Sequence, residues 1–204
     1  MSETSLRERS KARRRRAIQL AGMHLFAKQG YEATTLSDIG SEADVAPRTV
    51  SLYFATKLDI AQSSASDATE RLISALKRHQ SRPGTSMAEL VVGWLSEEPH
   101  YVDAEEWDLR AGMYRANPSL LNTGSWEGGA LGAVSGQVLA SELEVPASHL
   151  AVRLSGGAIA GMLMHYTLLA RHSDQTPESL GVVHGLIQGI IGGARHALTA
   201  PRST

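Results

Sequence analysis

A short run of small and polar side chains after Pro47 has the residue types that read the edges of DNA bases. Arginine can donate two hydrogen bonds to O6 and N7 of guanine, which discriminates against a wrong base by about 1–3 kcal/mol. Arg48 is therefore the strongest candidate for direct readout. The other candidates for contact in the same major groove are Pro47, Thr49, Ser51 and Leu52.

Helical patterning places this run on the last of three closely spaced helices. Residues 13–29 carry apolar side chains at the spacing of a one-sided helix, which Gly30 ends. Thr35-Leu36-Ser37-Asp38 is a capping box that opens a short second helix. Pro47 suits the first turn of a third helix that continues over residues 48–54. Three such helices, the last two joined by a short turn, are typical of a helix-turn-helix.

The chain beyond residue 54 also reads as helical. Thr56-Lys57-Leu58-Asp59 is a second capping box and opens a long helix that reaches about His79. Prolines and a glycine then separate helical segments over residues 86–98, 101–116, 119–142, 147–172 and 178–198. Clean alternation of polar and apolar residues is missing over any six residues, so the predicted fold class is all-α, with about nine helices.

Charge divides the 204 residues unequally. Residues 1–57 hold ten Lys and Arg against six Asp and Glu, whereas residues 58–204 hold ten against fifteen. This asymmetry indicates that the N-terminal part meets a polyanion. We expect a flexible arm over 1–12, a helix-turn-helix domain over 13–60 with its motif at about 35–54, and a second domain over 61–204.

Composition removes several classes of chemistry. The absence of cysteine excludes disulfides, thiolate metal sites and cysteine nucleophiles, and it fits a cytoplasmic protein. Neither a signal peptide nor a membrane span is expected. Common nucleotide-binding, zinc-protease and serine-hydrolase motifs are missing, so no cofactor, metal or catalytic residue is expected. A helical enzyme and a partner-binding protein that uses the helix-turn-helix as scaffold stay open as alternatives.

The run from Arg14 to Ile60, RRRAIQLAGMHLFAKQGYEATTLSDIGSEADVAPRTVSLYFATKLDI, resembles the TetR family of regulators in one continuous register. Shared features include the pair Gly30-Tyr31, a double threonine, and the terminal phenylalanine and lysine. The sequence departs from the family pattern at Asp44, where glycine is usual, at Ala46, where serine is usual, and at Ser51, where many relatives have tyrosine.

The resemblance implies a transcriptional regulator, more specifically a repressor that binds a palindromic DNA operator as a homodimer and is released by a small molecule. It also implies phosphate contacts by Thr35, Ser37, Tyr53 and Lys57. Lys57 begins a helix, whose N-terminus favours an anion. The arginine cluster ahead of the first helix, represented by Arg13 and Arg14, is a further candidate for contact with DNA.

Glycines at four-residue spacing mark one face of the last predicted helix, and two more lie on the helix before it. Such a face permits close approach of another backbone. Packing inside one subunit would also explain it, and we expect a dimer interface, as the resemblance implies for the last two long helices. The predicted interface comprises Gly157, Gly161, Gly181, Gly185, Leu186, Gly189, Ile190 and Gly193.

Larger side chains of the second domain are the material from which an apolar pocket for the small molecule could be built, although each would also serve as ordinary core. The predicted pocket residues are Trp94, Trp107, Met113, Tyr114, Trp126, Met162, His165 and Tyr166.

Overall fold

The structure is a computed structural model that describes residues 3–79, 84–122 and 130–199. Over these ranges it has nine α-helices, three short 3-10 turns and no strand, which confirms the predicted all-α class. The α-helices are α1 Glu3–Gln29, α2 Leu36–Glu42, α3 Pro47–Tyr53, α4 Lys57–His79, α5 Met87–Glu97, α6 Ala104–Ala116, α7 Ala130–Leu143, α8 Leu150–Leu169 and α9 Pro177–Thr199. Of the helices described, none has the length and apolar character needed to cross a bilayer.

The chain forms two compact units, and the division differs from the predicted boundary at residue 60. Unit 1 comprises residues 1–66 and 105–124, and unit 2 comprises residues 67–104 and 125–204. Unit 1 therefore contains α1, α2, α3, the first turns of α4 and almost all of α6. A boundary drawn from the sequence alone assigns residues 105–124 to the second domain, because periodicity reports the buried face of a helix and not the partner that buries it.

The N-terminus also differs from expectation, because α1 begins at Glu3 where a flexible arm was predicted over residues 1–12. The described side chains from Leu6 to Arg14 are all exposed, so no core contact holds this segment in place. Its Arg, Lys, Glu and Ala residues are strong helix formers, and the helix that begins in the core at Ile18 extends through them without a new nucleation step.

Unit 1 packs around one face of α1. Ile18, Met23 and Phe26 are fully buried there together with Ile39 of α2 and Val50 of α3. Both predicted capping boxes are present. At α2 the Thr35 hydroxyl accepts from the Asp38 amide at 3.1 Å and the Asp38 carboxylate accepts from the Thr35 amide at 2.8 Å. The box at residues 56 and 59 opens α4 in the same way.

Unit 2 has its own apolar core, to which α5, α7, α8 and α9 contribute. On α9 the buried residues Val183, Ile187 and Ile191 recur every four positions, which places them on one face. They pack in one cluster with Trp94 of α5 and Leu139 of α7. This arrangement leaves the opposite face of α9 open to solvent.

Candidate functional site

The turn between α2 and α3 brings two short helices into close contact. Asp44 has φ 54°, a left-handed conformation that glycine adopts most easily and that Asp tolerates better than most residues. A Cβ added at Gly40 would lie 2.8 Å from the backbone oxygen of Val45, so only glycine allows this approach. The sequence departure at Asp44 therefore preserves the motif, and the requirement at Gly40 is one that sequence reasoning missed.

One face of helix α3, which carries both polar and apolar side chains, is exposed to solvent. Val50 is fully buried against unit 1, while Pro47, Arg48, Ser51 and Leu52 are exposed. At 100° per residue these four side chains occupy a continuous arc of roughly 140°. Leu52 is 82% exposed. The four residues are hereafter called the α3 face.

Other predicted DNA-binding residues lie outside the α3 face. Thr49 and Tyr53 are half-buried on the opposite side of α3. Ser37 is exposed on α2. Thr35 is exposed, but its hydroxyl already donates to the Asp38 carboxylate at 2.8 Å within the capping box. Backbone and side-chain hydrogen bonds from Thr35 hold the pKa of the Asp38 carboxyl below its usual range.

Lys57, predicted to contact phosphate, is committed to the protein backbone in the structure. Its Nζ donates to the carbonyl oxygens of Tyr31 at 2.8 Å, Thr34 at 2.8 Å and Glu32 at 3.4 Å. The ammonium group also lies 4.6 Å from the centroid of the Tyr31 ring. Since an ammonium has three donors, these carbonyls engage all of them. Lys57 thus stabilises the turn that leads into α2.

A second side chain holds the same turn. Asn117, just beyond α6, accepts from the Tyr31 amide at 2.7 Å through Oδ1. Its Nδ2 donates to the Phe26 carbonyl at 2.8 Å, near the end of α1, and to the Met113 carbonyl at 2.9 Å. Helix ends leave backbone groups without intrahelical partners, and Asn117 supplies one such partner. No sequence motif distinguishes this asparagine, because it acts across 86 positions of the chain.

A buried polar cluster joins α1, α4 and α6 within unit 1. Glu106 is 5% exposed and accepts hydrogen bonds from Arg16 at 2.5 Å and from Ser64 at 2.6 Å, with Gln19 at 3.5 Å. Arg110, fully buried, donates to the Ser64 hydroxyl at 3.0 Å. A buried carboxylate needs such partners to offset its loss of hydration. No local pattern predicts this cluster, because Arg16, Ser64 and Glu106 lie far apart along the chain.

The described residues of the predicted pocket are divided between the two units. Trp107, Met113 and Tyr114 are buried in the core of unit 1, where burial raises the pKa of Tyr114 to about 12 despite the opposing effect of Arg110. In unit 2, Trp94 belongs to the buried core cluster, Met162 and Tyr166 pack against it half-buried, and His165 is exposed. Trp126 lies outside the described residues. Large apolar side chains were found where they serve as core, which the sequence could not distinguish from a pocket.

Unit 2 has instead a polar cleft of about 480 Å³ between α4, α5 and the turn after α5. Arg71 donates two hydrogen bonds of 2.7 Å to the buried Glu98 carboxylate, and its guanidinium lies 5.5 Å from the Tyr101 ring centroid. The cleft is lined by Asp67, Glu70, Arg71, Ser74, Arg78, Trp94, Glu97, Glu98 and Tyr101. Four carboxylates and two arginines make this lining polar, unlike the apolar pocket predicted.

The glycines of the predicted dimer interface are not packed inside their own subunit. A Cβ added at positions 157, 161, 181, 185, 189 or 193 would meet no described atom of the chain within 4 Å. Leu150, Leu154, Val182 and Leu186 on α8 and α9 are each more than half exposed. Ile190 is the exception in the predicted set, because it packs half-buried against the unit 2 core.

Comparison with known proteins is consistent with this geometry. Residues 18–63 match the family model described as bacterial regulatory proteins, tetR family. Over 72 residues the chain is 36% identical to the HTH-type transcriptional regulator TcmR of Streptomyces glaucescens, a match that covers 35% of this chain and 32% of that protein. The chain therefore spans about a third of the length of this curated relative.

Solved structures share the fold over most of the chain. The fatty acid degradation regulator FadR of Bacillus halodurans matches with 22% identity and a TM-score of 0.53, covering 90% of this chain and 97% of that one. Thermus thermophilus FadR, a repressor solved with lauroyl-CoA, matches with 18% identity and a TM-score of 0.50, covering 93% and 97%. Residues 18–63, which contain the helix-turn-helix, are thus similar to the tetR family of bacterial regulatory proteins, and most of the chain shares the fold of the two FadR structures.

Proposed function

We propose that this protein is a ligand-responsive transcriptional repressor that acts in the cytoplasm, binding a palindromic operator as a homodimer. The α3 face carries the proposal, because Arg48, Ser51 and Leu52 are exposed together on a helix held rigidly by the α2 turn. Arg48 would read guanine through two hydrogen bonds, and Leu52 would contact a thymine methyl group. Leu52 is 82% exposed, so its side chain is accessible for this contact.

Phosphate contacts in this proposal come from exposed groups around the α3 face. Ser37 at the start of α2 is exposed, as is Arg14 on α1. Arg13 is also exposed, but it lies about 100° around α1 from Arg14 and is assigned no phosphate in this proposal. The Thr35 hydroxyl is engaged in the capping box, and Tyr53 is half-buried. These two residues could contact a phosphate only through their remaining exposed groups. Lys57 is not among the proposed phosphate contacts, because its ammonium group already donates to the carbonyls of Tyr31 and Thr34.

Homodimerisation would use the open face of α8 and α9. Its glycines have space for a partner's side chains, and its exposed leucines and valine provide apolar area to bury. Two copies of α3 about 34–36 Å apart would reach successive major grooves of a palindrome. One helix-turn-helix alone reads too few base pairs for a unique operator.

A small-molecule effector would bind in unit 2. The polar cleft between α4 and α5 is the candidate site, since it combines aromatic surface from Trp94 and Tyr101 with charged groups that fix orientation. Binding there is testable by tryptophan fluorescence. A Trp94→Phe variant should lose most of the ligand-dependent change, whereas Trp107→Phe, in unit 1, should retain it.

Selection of DNA sequences from a random duplex pool tests the readout. The wild-type protein should recover a palindrome, and Arg48→Ala should lose preference at one base pair of each half-site, a change of roughly 5- to 150-fold in discrimination. Lys28→Ala removes the same charge from an exposed position of α1 and should leave the recovered sequence unchanged. Recovery of the same palindrome with undiminished preference by Arg48→Ala would refute the assignment.

Sedimentation tests the dimer. Leu154→Glu combined with Leu186→Glu should give a monomer, because two charges would be buried in an apolar interface. Leu52→Glu places the same substitution on the α3 face and should leave the dimer intact while abolishing operator binding. A monomeric wild-type protein at micromolar concentration would exclude the proposed interface.

A further inference from the structure

The first turns of α1 carry an unusual density of positive charge. Residues 3–16 hold seven Lys and Arg against two Glu, and all fourteen belong to α1. The described side chains from Arg7 to Arg14 are exposed. A charged helix of this kind is often an ordinary solvated surface. Its function therefore depends on how the charges are arranged around the helix.

Three of the basic residues share one side of α1. Arg7, Lys11 and Arg14 are separated by four and three positions, so they lie within about 60° of one another on the helix. Continuing at the same spacing leads to Ile18 and Leu25, which are buried in the core of unit 1. The basic stripe, formed by Arg7, Lys11 and Arg14, therefore extends the line of the core-facing side beyond the core.

Contacts farther along α1 show which neighbours this side faces. The Arg15 guanidinium lies 5.0 Å from the ring centroid of Phe54, the residue that ends α3. Farther around the helix, Arg16 and Gln19 reach Glu106 of α6. Arg15 lies about 70° around the helix from the mean direction of the basic stripe, and Arg16 and Gln19 lie about 140° from it on average. The stripe is therefore closer to the α3 side of α1 than to the α6 side.

Arg9 and Arg13 supply a natural comparison on the same segment. They are exposed and lie roughly 150° around α1 from the mean direction of Lys11 and Arg14. Each pair carries two positive charges within the same few turns. Replacing either pair removes the same net charge. The two replacements differ only in the side of α1 that loses it.

We propose that the basic stripe is a second DNA-contacting surface, which binds backbone phosphates of the duplex flanking the bases read by α3. The inference rests on the proposed DNA-binding function. Between Arg15 and Arg7 the helix extends about 12 Å, which carries the stripe beyond the end of α3. Consecutive members of the stripe are about 4.5–6 Å apart along the axis, a spacing on the scale of successive phosphates. Phosphate contacts give affinity at any sequence and position the reading helix.

Salt dependence of binding tests the proposal with two charge-matched variants, Lys11→Gln/Arg14→Gln and Arg9→Gln/Arg13→Gln. The DNA affinity of both variants is measured on an arbitrary 30-bp duplex and on the sequence recovered by selection, in each case from low to physiological salt. Removing four phosphate-binding charges from a dimer should reduce the slope of log Kobs against log salt by about 3–4. The ratio of wild-type to stripe-variant affinity should therefore grow by roughly 100-fold as salt falls from about 200 to about 50 mM. The Arg9/Arg13 variant should lose less than one unit of slope.

The dependence of affinity on the length of the duplex locates the contact made by the basic stripe. The wild-type protein should bind the selected site more tightly when about 8 bp are added on each side, and the stripe variant should not gain from the added length. Equal slopes for the two variants, or a wild-type protein indifferent to flanks, would overturn the proposal. Failure to recover any sequence would refute sequence-specific regulation, whereas the arbitrary duplex would still report on the stripe. Circular dichroism verifies that both variants remain helical.

Discussion

Removing the Lys57 ammonium separates a structural role from a phosphate contact, and the structure gives the expected size of the effect. Two hydrogen bonds of 2.8 Å join this charged donor to the Tyr31 and Thr34 carbonyls. Bonds from charged donors contribute about 1.5–3 kcal/mol each, and partial exposure favours the lower end. We therefore expect Lys57→Met, which keeps the aliphatic stem, to lower the free energy of unfolding by about 3 kcal/mol. For a chain of this length that is roughly 6–12 °C in Tm.

Calorimetry and DNA titration at several salt concentrations distinguish the two roles. A stabilising role predicts the fall in Tm together with an unchanged salt slope, because every phosphate contact remains in place. A phosphate contact would leave Tm unchanged and flatten the slope by about 2 for a dimer. Lys28→Met, at an exposed position of α1, is the control and should change stability by no more than about 0.5 kcal/mol. An unaltered Tm with a flatter slope for Lys57→Met would refute the assignment.

Three further substitutions test other parts of the molecule. Glu106→Gln should destabilise unit 1 by about 1–3 kcal/mol in chemical denaturation, because one amide hydrogen must face the Arg16 or Ser64 donors; no loss would contradict the hydrogen-bonded cluster. Since the pKa of Tyr114 is raised to about 12, its contribution to stability is complete below pH 10 and is lost as the pH rises to 12, a loss of about 3 kcal/mol in all. Tyr114→Phe should therefore unfold at higher pH than wild type, and an unchanged alkaline midpoint would contradict this. Gly185→Ala should weaken the dimer in sedimentation while stabilising the dissociated subunit by up to about 1 kcal/mol; a tighter dimer would argue against the glycine face.

Local chemistry made the helix-turn-helix predictable. Capping boxes at Thr35 and Thr56 are complete within four residues, so the sequence contains both partners of each hydrogen bond. The left-handed backbone at Asp44 follows from the same short-range logic. Sequence patterns therefore predicted the starts of α2 and α4 and the turn before α3, and the exposed positions of α3 followed once its buried side was known.

Long-range pairing made the remaining site features unpredictable. Lys57 has the same sequence context whether its ammonium faces solvent or the carbonyls of a turn 23–26 positions earlier. Asn117 and Glu106 act across 86 and 90 positions, and neither lies in a recognisable motif.

Their shared location shows how the compact units of the structure differ from a linear division of the chain. Unit 1 ends at residue 66 and resumes at residue 105, so α6 belongs with the helices that carry the α3 face, the proposed DNA-reading surface. Its carboxylate at Glu106 meets Arg16 of α1 and Ser64 of α4, and its terminal Asn117 holds the turn before α2. The helix-turn-helix is thus recognisable in about 45 residues, but some of the side chains that hydrogen-bond to it come from a segment some fifty residues farther along the chain. Substitutions in that segment should alter DNA affinity without touching DNA.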